Sequence, residues 1–177
     1  MGTSGQFNLK RHKVYLSQNL KDQSFQNLFV KVQSESKLHI FKSSKDTISL
    51  SNYLSKIKNR DARSHFSKLR LGVLPLEIEK GRRNDLMRAD RFCKLCNRQQ
   101  VEDEVHFLFE CPALAYDRAP FITDLAFTLP SFHLINNIQK INKLFFNENL
   151  NCYTLELASD FLLKLINSRK VLLDSQP

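Results

Sequence analysis

The chain contains no run of eighteen apolar residues, and no apolar stretch follows a charged start at its N-terminus. These absences predict an intracellular protein, cytoplasmic or nuclear, with neither a membrane span nor a signal peptide and with no membrane partner. Only four glycines and five prolines occur, too few for a loop-dominated β-architecture or a low-complexity chain. There is no phosphate-binding Gly-rich loop, no GxSxG elbow and no pair of acids in a recognisable catalytic setting, so the protein is not expected to be an enzyme. Cysteine is scarce too, and unevenly placed: three of the four lie between residues 93 and 111.

What is present points to a helical body. A hydrophobic fraction of 42% with fourteen phenylalanines, in a chain of 177 residues, suffices for one buried core. The expected fold class is all-α, a helical domain with an embedded metal module. Residues 1–15 are read as a disordered or cloning-derived terminus and 16–92 as a basic helical region. A zinc module follows at 93–112, with C-terminal helices over 113–177 packing on the same body. Ser17 is expected to cap a helix carrying Leu20, Phe25, Leu28, Phe29 and Val32, and a short helix is expected from about Leu50 to Lys58. Over residues 60–71 Ala62, Phe66 and Leu69 share one helical face, with Val73 continuing it, beside a basic face of Arg60, Arg63 and Arg70. Gly81 reads as a turn, and Pro120 as either a kink or the start of a second helix. Pro130 and Ser131 should open a helix with Leu134, Ile138, Ile141 and Phe145 on one side. Thr154 should cap the last helix, with Leu155, Ala158, Leu162, Leu165 and Ile166 as its stripe.

The cysteine cluster reads Cys93-x2-Cys96-x9-His106-x4-Cys111, three thiolates and one imidazole, a full set for tetrahedral Zn2+. Two residues between cysteines let a tight turn aim both sulfurs at one point, and Asn97 is expected to take the left-handed conformation such turns need. The second pair is harder. Five residues along an α-helix turn the chain by about 500°, leaving His106 and Cys111 about 140° apart. Pro112 disfavours the helical conformation at Cys111, so the helix should end near Glu110 and let Cys111 swing back. Glu102, Asp103 and Glu104 are expected in its first turn, as a cap or as acceptors behind the ligands. Buried small cysteines or a disulfide are the competing readings; histidine at ligand spacing and no secretory signal favour one structural zinc. Cys152 is read as a packed free thiol, and His12, His39, His65 and His133 as surface or packing residues.

The stretch "LRLGVLPLEIEKGRRNDLMRADRFCKLCNRQQVEDEVHFLFECPAL" resembles the region after the polymerase domain in reverse transcriptases of LINE-type (non-LTR) retrotransposons. There a basic helix, a P-L-x-I-E-x-G-R stretch and a C-x2-C…E-D-E-x-H-x4-C-P motif follow one another, and "ASDFLLKLINSRKVLL" is similar to the family's C-terminal end. The resemblance spans about residues 25–172. It implies that Cys93, Cys96, His106 and Cys111 ligate zinc, and that the module helps a reverse transcriptase hold template RNA or target DNA. The Y-x-D-D polymerase motif and any endonuclease signature are missing, so the chain would be a fragment, a degenerate copy or a host-adopted remnant.

Charge supplies the functional expectation. The net charge is +9, with 19 Lys/Arg against 8 Asp/Glu in residues 1–92 and 3 against 6 in residues 93–130. The excess therefore precedes the cysteines, and the zinc region itself is acidic. Phosphate contacts to RNA or DNA are expected from Arg60, Arg63, Lys68, Arg70, Lys80, Arg82, Arg83, Arg88 and Arg91. The alternative is a zinc-braced helical scaffold for a protein partner, such as the remainder of a reverse transcriptase, without nucleic-acid binding.

Overall fold

The computed structural model describes residues 9–35, 38–44 and 50–175. The chain divides into two compact units, Met1–Ser36 and Lys37–Pro177.

Among the described residues the first unit holds one helix, α1 (Leu9–Ser34). It starts before Ser17, which therefore lies inside a helix instead of capping one; of the terminus expected over residues 1–15, residues 9–15 are helical and 1–8 lie outside the described residues. No glycine or proline lies between Gln6 and Leu71 to interrupt it. Phe25, Leu28, Phe29 and Val32 share one side at i, i+3, i+4 and i+7, as the sequence predicts, yet the first three are exposed.

The second unit comprises α2 (His39–Ser44), α3 (Tyr53–Lys56), α4 (Arg60–Arg70), α5 (Glu77–Arg83), α6 (Ala115–Thr128), α7 (Asn137–Ile141) and α8 (Cys152–Asp174). Among the described residues there is no strand beyond one isolated antiparallel bridge, Phe92 with Val101, so the fold is all-α. α8 is the central element and packs against α3, α4 and α6. Its buried positions, among them Leu155, Ala158, Phe161, Leu162, Leu165 and Ile166, cover a face wide enough to meet neighbours on two sides. Phe66 of α4 stacks on Tyr53 and Phe145 at 4.9 and 5.1 Å between centroids, and Phe161 of α8 meets Phe121 at 5.5 Å.

The ends of α4 show how local chemistry sets an element. Asn59 Oδ1 accepts from the N–H groups of Asp61 and Ala62. At the other end Gly72, at φ 62°, lets Val73 N–H reach Lys68 O and Gly72 N–H reach Leu69 O, closing the last turn. Between them Ala62, Phe66 and Leu69 are buried, as predicted.

Three boundary expectations change and one narrows. Gly81 lies within α5 rather than at a turn, because the Arg91 side chain crosses it: a Cβ there would sit 2.4 Å from Arg91 Cγ. Pro120 lies inside α6 on an exposed stretch and does not start a second helix, which leaves the kink as the remaining reading of the two. Pro130 and Ser131 lead only into a 3-10 turn at Phe132–Leu134. α7 begins afresh at Asn136, whose side chain and that of Gln139 cap each other's backbone. α7 then runs into a π turn, Asn142–Phe146, so Ile141, Leu144, Phe145 and Phe146 are buried while Leu134 and Ile138 are exposed. Asn151, not Thr154, caps α8; it accepts from Thr154 N–H at 2.8 Å, and Thr154 itself is buried.

Candidate metal centre

The first ligand pair sits in a loop pinched by the Phe92–Val101 bridge. Cys93 N–H donates to Gln100 O at 2.8 Å and Glu102 N–H to Arg91 O at 2.9 Å, so the chain leaves the loop beside its point of entry. The Leu95 backbone N–H points at the Cys93 sulfur, which favours the thiolate. The left-handed residue of this loop is Gln99, at φ 51°, not Asn97.

The second pair stands on a π turn, His106–Glu110. Asp103 Oδ1 accepts the His106 N–H at 3.0 Å, capping the helical residues 104–105 that lead into the turn. At the far end Cys111 N–H donates to His106 O at 2.7 Å, and Cys111 leaves the helical region at ψ 118° ahead of Pro112. The expected end at Glu110 is therefore present. The wider five-residue turn, which sequence reasoning did not foresee, contributes to bringing the two ligands together. Ala113 N–H aims at the Cys111 sulfur, repeating the Leu95 contact two residues after its cysteine.

Together the two pairs make one cluster. Cys93 Sγ lies 3.8 Å from Cys111 Sγ, Cys96 Sγ lies 3.5 Å from His106 Nε2, and all four ligand atoms fall within 4.8 Å of one another. This group can hold one metal ion. Cys93, His106 and Cys111 are buried and Cys96 half-buried. Burial holds the His106 imidazole below its ordinary pKa, keeping it in the neutral form that ligates; the neighbouring carboxylates of Glu102, Glu110 and Asp103 only partly oppose this. The contact between Cys93 and Cys111 keeps a proton on Cys93, raising its pKa with help from burial, and lowers that of Cys111. His106 Nδ1 is buried without a protein partner.

Behind the ligands stands Glu102, one of the acceptors expected there, with two partners, Glu77 and Arg169, that the sequence reading did not include. Glu102, 1% exposed, accepts from the Glu77 N–H at 2.8 Å and from Arg169 at 2.6 and 2.8 Å, and its Oε1 lies 3.9 Å from Cys93 Sγ. Arg169 is the one hint available in sequence, since it continues the Leu155, Ala158, Leu162, Leu165, Ile166 register as a charge on an apolar stripe. Glu104 is also buried, and desolvation pushes its carboxyl up to about 7. Of the remaining residues singled out, Cys152 is free and exposed rather than packed; His12, His39 and His133 are exposed. His65 meets the Asp61 carbonyl at 2.9 Å.

The nine basic residues fare unequally. Arg70 is not on a free basic face. It is buried between the rings of Tyr53 and Phe146, each 4.8 Å away, and donates to Phe145 O, Ser51 Oγ and Glu148. Arg63 donates to Ile57 O at 2.8 Å, and Arg91 to the carbonyls of Ile78 and Leu86. Arg82 and Arg83 share the buried Glu79, Lys80 pairs with Glu77, and Arg88 pairs with Asp103. Arg60 and Lys68, together with Lys58, are exposed and make no ion pair with the described residues.

Comparison of the chain with family models, curated proteins and solved structures finds no match. Its class is thus defined by fold and site alone: an all-α protein with a Cys3His cluster able to bind a metal. No helix among the described residues is long and apolar enough to cross a membrane.

Proposed function

We propose that the chain is a zinc-stabilised module that binds RNA or DNA phosphates through the outer side of α4, serving a LINE-type reverse transcriptase as an accessory. The cluster suits zinc in donor type, and two of its edges match the size of a zinc site. A tetrahedral ion with Zn–S of about 2.3 Å and Zn–N of about 2.0–2.1 Å needs ligand edges of about 3.8 Å between sulfurs and about 3.5 Å from sulfur to nitrogen. Two of the six edges are 3.8 and 3.5 Å, and all four ligand atoms lie within 4.8 Å of one another, so closure on an ion needs only a small inward shift. Cys93, Cys96, His106 and Cys111 would hold the ion, which braces the loop against the π turn. Four protein ligands fill its coordination sphere, so its contribution is structural.

The observation that carries nucleic-acid binding is the row of exposed, unpaired cations Lys58, Arg60 and Lys68. Arg60, Ser64 and Lys68 recur at i, i+4 and i+8, so the two charges share one outer strip opposite the buried Phe66 and Leu69. An unpaired cation releases counterions from a phosphate without first breaking an internal ion pair.

The test is titration of labelled duplex DNA and single-stranded RNA across a salt series. Three contacts give a log–log slope of about −2.7 on duplex DNA, and replacing Arg60 and Lys68 with Ala flattens it by about two units. A second reading, a scaffold docking a protein partner, is favoured by the exposed Leu16, Leu20, Phe25, Leu28 and Phe29 on α1. Failure to bind either nucleic acid at low salt selects that reading.

A further inference from the structure

Glu102 joins three segments that are far apart in sequence. Its carboxylate takes the Glu77 N–H at the start of α5, meets the Arg169 guanidinium through both oxygens near the end of α8, and faces Cys93 Sγ at 3.9 Å. Its backbone completes the join, with Ile78 N–H donating to Glu102 O at 3.1 Å. The sulfur contact has a consequence for metal binding. A thiol at Cys93 can donate to Glu102, whereas a thiolate ligating a metal cannot, and two anionic groups then face each other inside the protein. Three thiolates exceed the charge of a divalent ion by one, and the carboxylates of Glu102 and Glu77 add two more negative charges.

Arg169 is the cation placed to balance them. Its side chain is 5% exposed, and it reaches Glu102 at 2.6 Å and Glu77 at 3.4 Å. The other cations on Glu77, Lys80 and Lys94, approach from the solvent side with side chains 44% and 62% exposed. Arg118 lies elsewhere on the cluster, donating to Cys111 O at 2.8 Å.

We propose that Arg169 is a positioning residue of the metal centre: through Glu102 it offsets the charge of the metal-bound Cys93 thiolate, so that metal binding and docking of the last turns of α8 stabilise each other. The coupling is reciprocal, because whatever tightens the metal on the docked state must tighten docking in the metal-bound state. The inference rests on the zinc reading of the cluster and adds to it a residue on a helix that carries none of the four ligands.

Zinc affinity of the full chain, measured by competition with a chromophoric chelator, tests the first half. Arg169→Met weakens zinc binding about 10- to 100-fold. Arg169→Lys, which keeps the charge and loses the two-pronged contact, recovers most of it. Glu102→Gln combined with Arg169→Met binds more tightly than Arg169→Met alone, because the anion left uncompensated is gone. An Arg169→Met affinity within about threefold of wild type, or a double variant no better than the single, overturns the proposal. Should Arg169→Met not fold, the double variant decides: zinc affinity within about tenfold of wild type supports charge compensation, and a larger loss refutes it. Hydrogen exchange with and without chelator tests the second half. Amides of residues 165–174 exchange faster on zinc removal; deprotection confined to residues 93–111 refutes the coupling. A wild-type chain that holds no zinc by elemental analysis refutes the metal reading itself, whereas a zinc-loaded wild type with an indifferent Arg169→Met refutes only this inference.

Discussion

The N–H of Cys111 donates to the carbonyl of His106 at 2.7 Å, a five-residue step that a π turn closes and an α turn does not. In an α-helix the two side chains would diverge by about 140°. The wider turn, followed by the extended backbone of Cys111 before Pro112, lets the imidazole and the sulfur converge with the Cys93–Cys96 pair. A single metal ion becomes possible at a spacing that a continuous α-helix would forbid.

Purified protein should carry one zinc per chain. Cys93→Ser, Cys96→Ser, His106→Ala and Cys111→Ser should each lose it, while Cys152→Ser keeps it, since Cys152 is exposed at the start of α8 and outside the cluster. Elemental analysis of the five variants decides, and metal loss from Cys152→Ser would contradict the ligand set.

Chelation should loosen the ligand loop and the end of α8 while leaving most helix intact. Phe66, Phe145, Phe161, Leu155 and Leu162 belong to a core that includes much apolar surface away from the ligands, unlike an isolated zinc finger. Far-UV circular dichroism with and without chelator reads this out. Complete loss of helical signal would show that the body depends on the metal.

Arg70→Met should destabilise the protein by about 2–4 kcal/mol, because Glu148 and the Phe145 carbonyl lose a buried donor. Changing Arg60 and Lys68 to Ala should leave stability within about 0.5 kcal/mol, as expected for exposed side chains without ion pairs. Urea unfolding of both variants makes the comparison, and equal effects would contradict the division between the buried Arg70 and the exposed cations Arg60 and Lys68.

Gly81→Ala should cost about 1–3 kcal/mol, although alanine is the better helix former. The added Cβ meets Arg91 Cγ at 2.4 Å, and Arg91 is held there by its bonds to the carbonyls of Ile78 and Leu86. Thermal unfolding measures the change; a neutral or stabilising result would show that Arg91 moves aside without loss.

Acid should weaken the fold partly through Glu79. Burial alone would raise its pKa, but the hydrogen bonds and charges of Arg82 and Arg83 outweigh that and hold it below 4.5. A carboxylate with a depressed folded pKa contributes stability that is present above its unfolded pKa and lost as pH falls through the folded one. Glu79→Gln should therefore flatten the acid side of the stability profile, measured by urea midpoints between about pH 5 and pH 2. An unchanged acid limb would remove Glu79 from the account.

The four cluster residues were legible because ligand spacing is a local property: the loop from Cys93 to Cys96 and the step from His106 to Cys111 each span about one turn of chain. The Ala62, Phe66, Leu69 face of α4 and the Leu155 to Ile166 stripe of α8 were legible for the same reason, since helical periodicity brings residues three and four apart onto one side. Other local features were misread where more than one local solution was open, as with the cap of α8 at Asn151 and the fresh start of α7 at Asn136.

Tertiary structure decided which charges face solvent. Arg60 and Arg70 lie on one short helix, yet Arg70 is buried because Glu148, 78 residues later, and the rings of Tyr53 and Phe146 close around it. Arg169 is drawn inside by Glu102, 67 residues earlier, and Gly81 is required by an arginine that crosses it from outside its helix. A charge enters a protein interior only when partners arrive to replace water, and those partners come from segments whose approach no local pattern encodes.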